Sequence, residues 1–436
     1  MKAFRFPLPP LLSSLFLFVA IPAITASAAE WTVTIQRETA PGSGRFHRID
    51  ERRRWNPDQT AIIVCDMWDS HHSVNAVRRV IELAPRIDAV LRAARQKGVV
   101  IIHAPSGCMD TYRDHPARQR VQTVPKASKL PPQINAWCHR IPAEERGVYP
   151  VDQSDGGEDD DPLEHRQWAK QLAAQKRNPR QPWTRQIASI HIDPTRDYIS
   201  DRGDEIWNIL QHEGIRQVVL CGVHTNMCVL GRPFGLRQMV RAKMPVVLLR
   251  DLTDTMYNPA RAPHVSHFSG TDLIIDYIER YICPTITSSA FLPHTPPFRF
   301  RGDRRPHVAI VMAEDEYHTR ETLTAFAQRY LQRDCRVSLV YANVNDRNDI
   351  PGLTRLHEVD LLILSARRRA LPTKQLQWFR RYLASGRPLV AIRTSSHAFH
   401  LRKGEPPKGH EQWPTFDQEI LGGNYHDHYP NSIQAT

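Results

Sequence analysis

Cys228 stands in the stretch "LCGVHTNMCVLGRPFGL" (220–236), where an apolar strand-like run gives way to a turn and then to helical spacing. A thiol at a helix start meets unpaired backbone N–H groups and the positive end of the helix dipole, which lower its pKa. The same N–H groups can hold the oxyanion of a tetrahedral intermediate. A carboxylate within reach would complete the nucleophile-and-base pair that acyl transfer needs. The competing reading is a small buried core thiol, and the local sequence leaves both open. Three other groups fall at strand ends: Asp66 after "AIIVC", Asp193 after "IASIHI" and His224 after "VVLCGV".

Asp66, Asp69, His71, Asp110, His115, Asp193 and His224 also form a set of oxygen and nitrogen donors suited to zinc, manganese or iron. However, "DMWDSHH" is not a strict metal motif, and adjacent histidines on a helix diverge by about 100°. No cofactor is therefore expected; a divalent metal near Asp66, Asp69 and His71 is the minor alternative.

The elements that must position these groups are legible as an alternation. "AIIVCDMWD" (61–69) reads as a strand buried on both faces, and "AVRRVIELAPRIDAVLRAARQKG" (76–98) has helical spacing stopped by Gly98. Strands are expected at 99–107, 186–193, 217–223 and 244–254, with helices over "DEIWNILQHEG" and "FGLRQMVRAK" between them, and a further strand over "WTVTIQRE". This pattern predicts an α/β fold with a parallel, helix-flanked sheet, whose ligands sit at the carboxyl ends of the strands. A long insert between residues 104 and 185 carries "SDGGEDDDPLEH", read as a solvated acidic loop, with Trp137, Trp168 and Trp183 available for packing. The Pro- and Arg-rich "FLPHTPPFRFRGDRRP" (291–306) is read as a linker. Alternation then restarts at "HVAIVMAE" and runs to "PLVAIRTSSHAF" (388–399), so the 436-residue chain divides into residues 1–29, 30–290, 291–306 and 307–436.

Composition narrows the class of function. A net charge of +12 comes without any Lys/Arg run interleaved with aromatics, so no nucleic-acid partner is expected. Residues 1–29 combine two early positive charges, a short proline-broken apolar stretch and "ASAAE", which reads as a secretory signal peptide. A periplasmic or secreted protein follows, with no stable membrane span once the signal is removed. The seven cysteines do not form a disulfide framework: the number is odd, and Cys65 and Cys221 sit inside apolar strands.

"AIIVCDMWD", "VVLCGVHTNMCV" and "VVLLRDLTDTMYNP" together resemble the isochorismatase-like cysteine hydrolases, over roughly residues 57 to 285. The resemblance implies a three-layer parallel-sheet domain with Cys228 as nucleophile and Asp66 as its base. It also implies a cis peptide at Val223–His224, an oxyanion hole using the Cys228 N–H, and substrate contacts from His224, Thr225 and Asn226. The family's lysine has no counterpart: no lysine occurs between Lys176 and Lys243. Its position falls on or near Asp193, which is thereby drawn into the catalytic set, with Arg196 as the neighbouring source of positive charge.

"PLVAIRTSSHAF" and "WPTFDQEILGGNY" resemble the trehalose-utilisation (ThuA-like) branch of the class I glutamine-amidotransferase-like fold. That implies a second, incomplete flavodoxin-like α/β domain over 307–436. Its strand-to-helix elbow, Arg393-Thr394-Ser395-Ser396-His397, has no thiol, so glutamine hydrolysis is not expected; His397, His410, His426 and His428 are candidates for a carbohydrate pocket. The expected function is an exported, homo-oligomeric hydrolase of a small amide, ester or enol ether. The alternative is a catalytically degenerate carbohydrate- or envelope-associated binding protein.

Overall fold

The computed structural model describes residues 29–426. Its centre is the apolar run over Thr60–Cys65, here β3, in which every side chain is buried. Alternate residues serve opposite faces. Ile62 and Val64 pack under the long helix α1 (Val74–Gln96), with Leu83, Ile87 and Leu91. Ala61, Ile63 and Cys65 face the other core, with Ile206, Leu236 and Ile274. Each fully buried Ile or Leu contributes about 1.5–3 kcal/mol, so two such faces fix the register of this strand.

The hairpin β1 (Ala29–Glu38) and β2 (Phe46–Trp55) precedes β3. After α1 come β4 (Val100–Ala104), α2 (Pro116–Thr123), α3 (Pro162–Ala174), β5 (Tyr198–Ile199), α4 (Gly203–His212) and β6 (Gln217–Val223). Then follow α5 (Leu236–Arg241), β7 (Val246–Asp254), α6 (His267–Tyr281) and β8 (Thr285–Ile286). They form one eight-stranded sheet in the order β2-β1-β8-β7-β6-β3-β4-β5, parallel from β8 to β5, with β1 joined antiparallel to β8. Helices cover both faces, giving the expected three-layer α/β domain.

Three expectations need correction. Residues 186–193 are not a strand: the sheet's edge is the two-residue β5, and Gln186 makes only an isolated bridge to Trp68. The run "IASIHI" is used in a turn, where the Ile190 N–H donates to the Ile187 carbonyl. The acidic insert is not a solvated loop. Asp160 accepts from the Val74 and Asn75 N–H groups at the start of α1, Asp159 pairs both nitrogens of Arg79, and Asp155 holds Asn258 and Arg261. Its carboxylates neutralise the helix start and the arginines beside it, a job that composition does not reveal. The 291–306 segment is anchored too, with Phe291 in the core, the Phe298 N–H on Asp251 and Arg305 on Ser269.

The second unit contains β9 (His307–Ala313), α7 (Thr319–Phe326), β10 (Arg336–Tyr341), β11 (Leu361–Ala366), β12 (Leu371–Pro372), α8 (Thr373–Ala384), β13 (Leu389–Ala391) and β14 (His410–Glu411). Its main sheet, β10-β9-β11-β13, is wholly parallel. That is the 2-1-3-4 order of flavodoxin-like sheets. The units meet at β2, where Arg355 pairs Asp50 and Thr354 bonds the same carboxylate. Among the described residues no helix is long and apolar enough to cross a membrane, and all seven cysteines are free. The signal-peptide reading concerns residues that, apart from Ala29, lie outside the described ones.

Gly222 shows how tightly the central strands approach. Its φ is +104°, and a Cβ there would lie 2.0 Å from the Cys65 carbonyl oxygen. Gly222→Ala is expected to lower unfolding free energy by more than about 2 kcal/mol, from positive φ and overpacking together; urea denaturation measures it.

Candidate active site

β3 and β6 are neighbours, with Cys65 opposite Gly222, so the residues following each strand emerge together. Asp66 turns out of β3 with φ +45° and is fully buried. Its Oδ1 accepts the Ser106 N–H at 2.8 Å, and its Oδ2 accepts from Arg232 Nε at 3.1 Å. Beyond β6, the Val223–His224 peptide is cis, as the resemblance implies, and a short helical turn begins at Thr225. Cys228 therefore lies inside the turn rather than at its first residue. The residue is 8% exposed, and its thiol lies close enough to Asp66 and Arg232 to be shifted by both charges. The three side chains form one cluster.

Arg232 is the residue sequence reasoning missed. It follows Cys228 by four positions, the spacing that places two side chains on one helical face. The Arg232 N–H donates to the Cys228 carbonyl at 3.0 Å, so the helical geometry holds that far. Its guanidinium also lies over the Trp137 ring, 5.4 Å from the centroid. Asp193 and Arg196, by contrast, pair with each other at 3.1 Å, and Asp193 also accepts from the Thr195 N–H and hydroxyl. Both are committed to their own turn; neither contacts Cys228 or Asp66. The supposed strand end that brought Asp193 into the catalytic set does not exist.

Burial pushes the Cys228 thiol pKa well above its ordinary value, and the Asp66 charge pushes the same way. Burial also raises Asp66. Arg232 opposes both shifts, and is itself held protonated against burial by Asp66 and Cys228. At neutral pH the resting pair keeps its proton. The guanidinium is the neighbour that favours the ionised thiol.

Thr225 and Asn226 serve the scaffold. The Asn226 amide donates to the Met256 carbonyl at 2.7 Å and accepts the Met256 N–H at 2.9 Å; the Thr225 hydroxyl meets that of Thr253 at 2.7 Å. Thr253 in turn donates to the Gly222 carbonyl. Thr225 and Asn226, for which the resemblance implies substrate contacts, instead make bonds that brace the Cys228 turn on the bulged end of β7. His224 is different. It is buried beside Asp66 in a small cavity of about 10 Å³, with Trp68, Ser70 and His71, and its Nε2 has no hydrogen-bond partner among the described residues. The hydroxyl of Ser70 is also buried without a partner among the described residues.

An aromatic wall closes this side: Trp183, from the insert, stacks on Trp68 at 4.3 Å, and His71 and His224 meet edge to face at 4.9 Å. The Ser73 N–H donates to His71 Nδ1, which places the ring's proton on Nε2. Behind the wall, His267 Nε2 and Arg79 Nε hold the two oxygens of Asp254 at 2.9 and 2.8 Å. The proposed metal donors do not converge. Asp69 is spent on Arg177, Thr184 and Arg185, Asp110 is exposed and paired with Arg113, and His115 caps α2. Among the described residues no group of three or more His, Cys, Asp or Glu is arranged to hold a metal.

In the second unit the elbow's left-handed residue is Arg393, with φ +49° and its guanidinium over Tyr317. The Ser395 hydroxyl donates to the Leu364 and Ile392 carbonyls. Beside it, the Ser396 hydroxyl lies 3.1 Å from His397 Nδ1. His397 stacks on Tyr425 and His410 bonds the Lys408 carbonyl, so these histidines are engaged locally; His428 lies outside the described residues.

No protein-family model matches the chain, and no curated protein matches it. Solved structures do overlap about half of it. A cysteine hydrolase from Pseudomonas syringae pv. phaseolicola 1448A is 17% identical, covering 54% of this chain and 91% of that one, at a TM-score of 0.32. N-carbamoylsarcosine amidase from Thermoplasma acidophilum is 13% identical, covering 53% and 96%, at 0.28. YcaC from Pseudomonas aeruginosa, with hexane-2,5-diol and covalent acrylamide, is 11% identical, covering 55% and 81%, at 0.27.

Burial holds His224 neutral, its pKa pulled down to about 3, whereas the unfolded chain returns it to about 6.5. Between those values the unfolded state binds the extra proton, so stability present above about pH 6.5 is lost as pH falls. Asp254, held ionised by Arg79 and His267 against burial, adds to the loss in more acid solution. Urea unfolding is expected to show lower stability at pH 5 than at pH 7, with His224→Asn reducing the difference.

Proposed function

We propose that the chain is a cysteine hydrolase of a small amide, ester or enol ether, with Cys228 as nucleophile, Asp66 as proton carrier and Arg232 as the charge that holds the thiolate. The observation that carries this reading is the buried contact of Cys228, Asp66 and Arg232 at the carboxyl ends of two adjacent parallel strands. A buried ionic cluster is a poor way to gain stability, and strongly shifted groups meeting at a strand end are what a reaction centre requires.

For an amide or ester, Asp66 takes the proton from Sγ as sulfur attacks the carbonyl carbon. Arg232 compensates the charge of the thiolate, and the Cys228 N–H faces the developing oxyanion. Collapse of the tetrahedral adduct breaks the bond to the leaving amine or alcohol, which departs with the proton from Asp66. Water, deprotonated by Asp66, then cleaves the thioester, and the proton returns to sulfur as the acid leaves. The unpartnered atoms of His224 and Ser70 are available to a polar substrate, and Trp68 and Trp183 limit it to a small one.

We further propose that the second unit does not hydrolyse glutamine, since its elbow carries no thiol, and that the protein acts after export, as residues 1–29 suggest.

Ammonia release from a panel of small primary amides tests the reading. Cys228→Ala is expected to abolish turnover, and Arg232→Met to lower kcat/KM by at least ~100-fold, the scale of losing a charge-stabilising donor. Arg232→Lys should recover part of it. Alkylation of Cys228 by iodoacetamide at pH 7 should be slow in the wild type and slower in Arg232→Met. Full turnover by Cys228→Ala would remove the proposal.

A further inference from the structure

Arg232 has an insecure hold. Among the described residues no oxygen other than Asp66 Oδ2 accepts from its side chain, at 3.1 Å, and that side chain is about a quarter exposed. In the proposed reaction Asp66 takes the thiol proton, and a neutral carboxyl attracts a guanidinium far less than a carboxylate does. The cation is then held least by Asp66 when the thiolate beside it forms. A second contact does not titrate: the guanidinium carbon stands 5.4 Å from the ring centroid of Trp137. The negative face of an indole attracts a cation through a fixed quadrupole, whatever the pH.

The backbone is arranged to seat that ring. Gly231 directly precedes Arg232, and a Cβ on it would lie 2.3 Å from Cε2 and 2.4 Å from Nε1 of Trp137. The indole thus rests on the main chain of the Cys228 turn, where any side chain at 231 would displace it. The Cys138 N–H donates to the Gly231 carbonyl at 2.8 Å. Just before the ring in sequence, Asn135 accepts the Asp204 N–H at 2.9 Å, and Arg241 donates to the Gln133 amide oxygen and carbonyl at 3.0 and 3.2 Å. The segment is therefore pinned to α4, to α5 and to the turn itself. Trp137 is nevertheless 36% exposed, so it adds little to the core. We propose, resting on the hydrolase reading above, that Trp137 is a positioning residue: its indole keeps the Arg232 guanidinium beside Cys228 while Asp66 carries the proton.

Trp137→Leu keeps apolar bulk without a π face, whereas Trp137→Phe keeps a face. Alkylation of Cys228 by iodoacetamide in the full chain at about pH 8, followed by mass spectrometry of its peptide, reads the thiolate without reference to turnover. It is expected to be at least ~threefold slower in Trp137→Leu than in the wild type, the scale of a cation–π contact, with Trp137→Phe recovering most of the loss. In an Arg232→Met background Trp137→Leu should slow it no further, since its effect passes through the guanidinium. Turnover should follow the same order in kcat, with KM changed less than about twofold. Melting temperatures report that each variant folds, and Trp137→Met stands in should Trp137→Leu not do so. Alkylation of Trp137→Leu at the wild-type rate or faster, no recovery in Trp137→Phe, or equal slowing in the Arg232→Met background would each overturn the proposal. Full turnover by Cys228→Ala would remove the hydrolase reading instead, and the alkylation rates tell the two failures apart.

Discussion

A carboxyl group with no solvent exposure, set at the end of a strand, constrains everything around it. Asp66 can be tolerated there only because the Ser106 N–H and the Arg232 guanidinium meet its two oxygens. Those contacts require that β3 and β6 be adjacent, that Gly222 let them approach, and that the turn after β6 deliver residues 228 and 232 to one side. Sulfur, carboxyl and guanidinium then share a space with little water, where each strongly perturbs the others' protonation.

The surrounding structure holds that contact still. Asn226 and Thr225, drawn from the same turn, bond β7 and its extension through Met256 and Thr253. The acidic insert ties α1 and α6 together through Asp159, Asp160 and their arginine, histidine and backbone partners. It also brings Trp183 against Trp68. A segment whose composition suggests solvation is thus part of the wall beside the site. Acidic residues are expensive to bury singly and favourable at helix starts and beside arginines; only their neighbours decide which case applies.

The absent lysine illustrates a similar point. Positive charge beside a thiolate is a physical requirement, whereas the element that supplies it is not fixed. Here the charge beside Cys228 comes from its own helical turn, through Arg232. Arg232 was findable from its spacing to Cys228, since positions four apart on a helix share a face. Attention to the strand-like "IASIHI" led instead to Asp193 and Arg196, because an apolar run of that length reads as a strand whether or not a sheet edge accepts it.

The sequence by itself determined the α/β alternation, the strand-ending Asp66, the Cys228 turn and the second parallel sheet, because hydrophobic period and turn residues are local properties. It did not determine which polar groups would meet. Whether Asn226 faces a ligand or a backbone amide, whether Asp159 faces water or Arg79, and which arginine stands beside the sulfur depend on neighbours far away in the chain. Those pairings are set by strand order and by the path of the insert. Tertiary structure decided them, since the energy of a charge is a property of its surroundings and not of its place in the chain.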